Sequence, residues 1–311
     1  MRFKLLKFDG ILYFGHPKSI LKIMKTYFIA ILMMVLPCLV HSQDNTAPVR
    51  LKQINIVKTN YQNSTDGEII NKTVVFKDGK IQTITTSDVI QHFFYNKSGL
   101  LDMTVKDKVG SDWKEVVNYT YDADNNITKF VKKYQEGPDY ITKVVTFGYE
   151  GARIKVTTKK STNHQNLVDD IEYIVENGII VRRTSRDKNK QIVGKIEYVY
   201  TNDNVIRHKG LVGDKISKTY TFDDKKSVDQ LIVQSLFGDN YKVIVPMISY
   251  HEDEFSFEAI SYNNEVNFSP SSTALVAVSR KYKYNKLNFP IFCTQIEENG
   301  IVKTEKTFIY E

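Results

Sequence analysis

A short motif recurs along most of this chain: an aromatic residue, then Asp or Asn, then a Gly or Asn a few positions later. It reads Phe94-Tyr95-Asn96-Lys97-Ser98-Gly99, Tyr119-Thr120-Tyr121-Asp122-Ala123-Asp124-Asn125 and Tyr198-Val199-Tyr200-Thr201-Asn202-Asp203-Asn204. Its opening returns at Tyr220-Thr221-Phe222-Asp223, Tyr282-Lys283-Tyr284-Asn285 and Phe308-Ile309-Tyr310. A shorter form occurs at Phe76-Lys77-Asp78-Gly79, Tyr149-Glu150-Gly151 and Val175-Glu176-Asn177-Gly178. The last aromatic or apolar residue before each turn falls at 76, 95, 121, 149, 175, 200, 222, 284 and 310, a period near 25 broken once. A fixed period of this size dictates a repeated supersecondary unit. Asp or Asn opening a turn bonds the backbone two residues on, and Gly or Asn later supplies the positive φ that a tight hairpin needs. Gly99, Asn125, Asn204 and Asn288 are read as equivalent left-handed positions.

Between the turns the pattern is that of half-buried strands: Val145, Phe147 and Tyr149 share one face, with Val144, Thr146 and Gly148 on the other. Each unit of about 25 residues holds two strands and a second turn in polar stretches such as Val109-Gly110-Ser111-Asp112, Glu136-Gly137-Pro138-Asp139 and Arg186-Asp187-Lys188-Asn189. The expected fold is all-β: an antiparallel meander of tandem hairpins forming a long curled sheet or open barrel. One interval breaks the rule. Ser227-Val228-Asp229-Gln230 has capping-box form and predicts one short helix near 228–237, after which Val243-Ile244-Val245 reads as strand. Asn263-Asn264 and Ser269-Pro270-Ser271-Ser272 read as loop, so 228–275 is an irregular insertion. Irregular segments on rigid scaffolds often carry function.

At the N-terminus, Lys22 and Lys25 precede an apolar run from Tyr27 to Leu36, ended by Pro37, and Val40-His41-Ser42 suits cleavage before Gln43. Residues 1–42 are expected to be an extension and signal peptide, with the start at Met24, and 43–311 a single β-repeat domain. The apolar run is shorter than the roughly 20 residues that span a bilayer. Cys38 raises a lipoprotein alternative, although Val35 and Pro37 suit a lipobox poorly. The first 42 residues hold six Lys/Arg against Asp9, so they carry +5 of the chain's +7 and leave +2 for the remainder. Nucleic acid is therefore not an expected partner.

After cleavage Cys293 would stand alone, in the strand-like run Pro290-Ile291-Phe292-Cys293-Thr294, and is read as a buried structural thiol. His92, His164, His208 and His251 lack metal-motif spacing. His251-Glu252-Asp253-Glu254 reads as a solvated acidic turn. Asp122-Ala123-Asp124-Asn125-Asn126 imitates a calcium loop, but Lys133 stands where the twelfth-position acid belongs. There is no Gly-x-Ser-x-Gly and no phosphate-cradling loop. No catalytic or metal residues, no cofactor and no specific binding residues are assigned. Lys155, Thr157 and Lys159 on one face and Val156, Thr158 and Lys160 on the other disfavour a lipid-facing strand.

On Tyr119–Ile127 and, less fully, Tyr198–Ile206, the chain resembles the tyrosine–aspartate (YD) repeat group, related to Rhs-type wall and toxin-shell proteins. It is similar to small exported bacterial proteins of unknown function carrying degenerate repeats of this kind. That resemblance spans roughly 70–311 and implies a porin-like, curled β-sheet; it implies no catalytic residues. Asn replaces Asp at Asn96 and Asn285. The expectation is an exported, non-catalytic protein of the periplasm, outer-membrane surface or exterior that binds a glycan or a protein. The alternatives are a hydrolase with its site in 228–275 and an outer-membrane channel.

Overall fold

A computed structural model describes residues 50–311 except 63–66, 163–165, 214–215, 250–260 and 273–274. The signal segment, Cys38, His164 and the cluster His251-Glu252-Asp253-Glu254 lie outside the described residues.

Eighteen antiparallel strands follow one another around a single sheet. They are β1 (Leu51–Asn60), β2 (Glu68–Lys77), β3 (Lys80–Thr85), β4 (Val89–Tyr95), β5 (Leu101–Lys108), β6 (Lys114–Tyr121), β7 (Ile127–Glu136), β8 (Asp139–Glu150) and β9 (Arg153–Ser161). The second half comprises β10 (Asn166–Glu176), β11 (Ile179–Arg186), β12 (Ile192–Thr201), β13 (Asn204–Val212), β14 (Ser217–Lys226), β15 (Asn263–Pro270), β16 (Val278–Tyr284), β17 (Pro290–Glu297) and β18 (Val302–Tyr310). Each strand pairs with its neighbours in sequence. β1 pairs with β2 on one side and β18 on the other, Ile54 facing Val74 and Phe308. The sheet is thus the antiparallel meander expected, and it goes one step beyond the long curled sheet or open barrel by closing on itself. The closing strand β1 precedes the repeat and carries none of its turn signals, so the motif alone left the edges unpaired.

The turns bear out the motif chemistry, with one exception. Asn96, Asp122, Asp187 and Asn285 each accept, through Oδ1, the backbone N–H four residues on, and the residue between, Gly99, Asn125, Lys190 or Asn288, has φ of 62–77°. Asp122 Oδ1 also takes the Asp124 N–H, so the apparent calcium loop is hydrogen-bonded as a turn. The exception is Asn204. The turn there has two residues, Asn202 and Asp203, both with positive φ, and Asn204 is the first, buried residue of β13.

The motif tyrosines have a specific role. Tyr95, Tyr121, Tyr149, Tyr200 and Tyr310 donate their hydroxyls to the carbonyls of Ile81, Leu101, Ile127, Ile180 and Pro290, at 2.7–2.9 Å. Each phenol crosses from the end of one strand to the start of the strand before it, stapling the barrel rim beside the motif turns.

A barrel of 16–18 strands is too wide for its own side chains to fill, and without another element its lumen would hold water. Here the insertion enters it. Helix α1 (Val228–Phe237), a 3₁₀ turn (Gly238–Asn240) and helix α2 (Tyr241–Ser249) join β14 to β15. Ser227 Oγ caps α1 through the Gln230 N–H, as the sequence predicts, but the Gln230 side chain turns to the Tyr241 hydroxyl instead of closing the box. Val243-Ile244-Val245, read as strand, is helical. Ile244, Val245, Pro246, Met247 and Ile248 are all buried, and inside a closed barrel no strand edge is free to satisfy their backbone. A helix satisfies its own backbone and can be apolar on every side when enclosed.

The helices pack in one cluster with inward residues from around the barrel, including Ile54, Phe76, Leu101, Tyr119, Phe130, Phe147, Tyr173 and Phe308. Phe237 meets Tyr119 edge-on at 6.4 Å. The motif-turn end is tied to them: Lys80 Nζ bonds the Gly99 and Ser235 carbonyls, Asn240 Nδ2 bonds the Asp124 carbonyl and Asn126 Oδ1, and Lys242 pairs with Asp203 at 3.6 Å. The helical pair is a plug at this end.

Candidate ligand site inside the barrel

Return from the plug to the wall is set by side chains the sequence reading placed in loop. Asn263 and Asn264 open β15. Asn263 exchanges hydrogen bonds with Asn204 at 2.7 and 2.9 Å. Asn264, buried, accepts from the Val228 N–H at the start of α1 and bonds Asp223, which Tyr284 also reaches through its hydroxyl. Pro270 ends the strand opposite Lys218. These amides substitute for ladder bonds where β14 and β15 shift register, and no periodicity could reveal that.

Between α1 and the inner wall of β13–β18 lies a cavity of about 410 Å³. One wall is aromatic. Tyr198, His208, Tyr220 and Phe268 follow one another across β12–β15, with ring centroids 4.7, 5.0 and 5.5 Å apart, and Tyr220 Oη lies 3.2 Å from His208 Nδ1. The rest of the lining is charged and polar. Arg280 on β16 forms an ion pair through Nη1 with Glu265 on β15 and donates from Nε to Gln295 Oε1 on β17 at 3.0 Å. Lys306 on β18 and Asp229 in the first turn of α1 complete it. Burial pushes the Glu265 carboxyl above its usual range, and the neighbouring Arg280 guanidinium opposes that shift. Tyr282, adjoining, donates to the Glu265 carbonyl at 3.2 Å.

The sequence assigned no binding residues, and nothing in it groups these. The period-2 pattern gives each residue a face, but only closure brings β13, β15, β16 and β18 around one space. Cys293 is buried, as expected, on the inner row with Tyr282 and Lys306. Burial raises its thiol pKa, and an inert thiol follows. His92 sits on the opposite face of β4 from the buried Phe93, on the outer wall, while His208 is in the cavity wall. On the inner face across the barrel, Val117, Lys132, Lys143 and Lys160 oppose one another in a row, and Glu115 lies 3.7 Å from Lys106 and 2.9 Å from Lys132.

The outer wall is mixed, with exposed apolar residues such as Val75, Phe94, Val199, Ile296 and Ile309 among lysines. Lys129, Lys133, Lys155, Lys159, Lys209 and Lys281 alternate with inward residues and are exposed. Among the described residues no helix is long and apolar enough to cross a membrane.

The chain is therefore a closed, 18-stranded antiparallel β-barrel with an apolar core at a plugged end and a mixed aromatic and charged cavity beside the plug. Solved structures similar to it include a porin-like protein from Bacteroides uniformis ATCC 8492, at 11% identity and TM-score 0.49, covering 84% of this chain and 96% of that one. Another is a porin-like protein from Bacteroides vulgatus ATCC 8482, at 9% identity and TM-score 0.41, covering 85% and 99%. No family model and no curated protein matches the chain. The resemblance to tyrosine–aspartate repeats thus stays with the turn motif.

Proposed function

We propose that this is an exported protein of the bacterial envelope whose barrel is a one-ended vessel, holding a saccharide in the cavity between α1 and β13–β18. The observation that carries the reading is that the aromatic rings of Tyr220 and Phe268 and the polar side chains of Arg280, Glu265, Gln295 and Asp229 line one cavity. A sugar ring presents apolar C–H faces and a hydroxyl rim, and sites for it combine a surface for stacking with a few placed polar groups. No catalytic step is part of the proposal: the half-buried Glu265 carboxylate of the cavity wall is held in an ion pair by Arg280.

The test is a screen of the full chain against envelope glycan fragments, neutral and acidic, followed by calorimetric titration of any hit. Phe268→Ala is expected to weaken the hit at least tenfold. Binding unchanged by Phe268→Ala and Tyr220→Ala would remove the cavity from the proposal.

Barrel closure favours a second reading, an outer-membrane channel. The outer lysines weigh against it, because a Lys facing lipid costs about 2–4 kcal/mol near the bilayer midplane and a porin needs an outward apolar band. Channel steps in a planar bilayer, together with insolubility without detergent, would favour the channel over the vessel.

A further inference from the structure

Arg280 is placed for more than structure. Its side chain is 19% exposed, and its guanidinium is gripped from two sides, by Glu265 and by Gln295. A guanidinium so held keeps a fixed plane, two of its five N–H donors are used by these partners, and the side chain lines the cavity. Lys306 borders the same space from β18, and Lys218 from β14. An oriented guanidinium fork can take an oxyanion bidentately, and ammonium groups lining the same cavity add to its positive field. The carboxylate already present fixes the Arg280 plane, and Asp229, in the first turn of α1, has the helix N-terminus to stabilise it. The cationic groups and the aromatic shelf of Tyr220 and Phe268 face one space. A ligand meeting both has a ring to stack and an acidic group on its rim.

Resting on the vessel reading, we infer that the cavity selects acidic saccharides, with Arg280 and Lys306 receiving the carboxylate of a hexuronate whose ring stacks on Tyr220 and Phe268. The Nη groups of Arg280 donate to the carboxylate oxygens, Lys306 supplies the second positive charge, and Gln295 holds Arg280 in plane. Neutral hexoses keep the stacking and lose the ionic contact.

The experiment is calorimetric titration of the full chain with D-galacturonate, D-galactose and inorganic phosphate at low and moderate salt. Galacturonate is expected to bind at least tenfold tighter than galactose and tighter than phosphate, and to weaken as salt rises. Arg280→Lys, which keeps the charge but loses the fork, should cut galacturonate affinity about tenfold and galactose affinity by a smaller factor. Because Arg280 substitutions also disturb Glu265, Lys306→Gln is the companion variant: it leaves the Arg280–Glu265 pair intact and should cut galacturonate affinity three- to tenfold. Equal affinity for galactose and galacturonate, or a preference for galacturonate that survives both variants, overturns acid selection while leaving the vessel standing. Phosphate binding as tight as galacturonate overturns the stacked ring. Failure of every saccharide, neutral and acidic, overturns the vessel reading and the inference with it.

Discussion

The tyrosine staples make a quantitative prediction, best seen at Tyr121. Its hydroxyl donates to the Leu101 carbonyl at 2.7 Å, and Leu101 is fully buried. Tyr121→Phe keeps the ring and removes one hydrogen bond, worth about 1 kcal/mol net, and leaves a buried carbonyl short of a partner at up to about 2 kcal/mol more. The expected loss is ~1–3 kcal/mol, or roughly 2–4 °C in Tm per kcal/mol for a barrel of this size. Alkaline pH provides an internal control. Burial, with Asp102 nearby adding to it, raises the Tyr121 phenol pKa in the folded state. The folded chain then keeps its proton where the unfolded chain releases it, so the contribution of this group is complete below the unfolded value of about 10 and is lost as pH rises beyond it. The loss runs at about 1.4 kcal/mol per pH unit for each such group. The stability gap between wild type and Tyr121→Phe should therefore narrow by about 1 kcal/mol between pH 8 and pH 11. The assay is denaturant unfolding followed by circular dichroism at both pH values. A gap that stays constant, or a variant as stable as wild type at pH 8, would refute the assignment of this tyrosine as a buried donor.

Other consequences are checked by similar means. Phe237→Ala, at a fully buried plug residue stacked edge-on to Tyr119, should cost about 3–5 kcal/mol, read as a shift of the denaturation midpoint. Cys293 should not react with a disulfide reagent in the folded chain at pH 8 and should react stoichiometrically in denaturant, since burial raises its pKa. Glu115→Gln, which removes the carboxylate between Lys106 and Lys132, should lower stability by about 1–3 kcal/mol, with the loss shrinking in high salt. Gly213→Ala should destabilise by more than the usual ~1 kcal/mol for a strained turn, because a Cβ there would sit 2.3 Å from the Val193 carbonyl oxygen at φ +74°; hydrogen exchange at the β12–β14 amides would report it.

What could be read from the chain was what repeats. Turn chemistry is local, so Asp122, Asn96 and Asn285 announced their hairpins, and the alternation of Val145, Phe147 and Tyr149 announced the inner face. The same rule failed at Asn204, where a two-residue turn and a longer one leave nearly identical sequences. Closure was illegible because β1 has a partner some 250 residues away, and pairing over that distance leaves no trace in local composition. The plug defeated propensity: Val243, Ile244 and Val245 favour strand, and only enclosure makes helix their better state. The cavity was the least legible, since Arg280, Glu265, Tyr220 and Lys306 each read as an ordinary alternating strand residue. The insertion at 228–275 does supply Asp229 and Glu265 to the lining of that cavity.

The pairing of β1 with β18 also sets the order of events in folding. Every other seam joins neighbours in sequence, all but β14–β15 through a short connection, while this one must await the last nine residues of the barrel, Val302–Tyr310. Until then two strands, β1 and whichever was made last, present open edges that invite pairing with other chains. The final closure is a contact of the highest possible sequence separation, which slows folding. A chain shortened before Val302 should therefore aggregate instead of forming a smaller barrel.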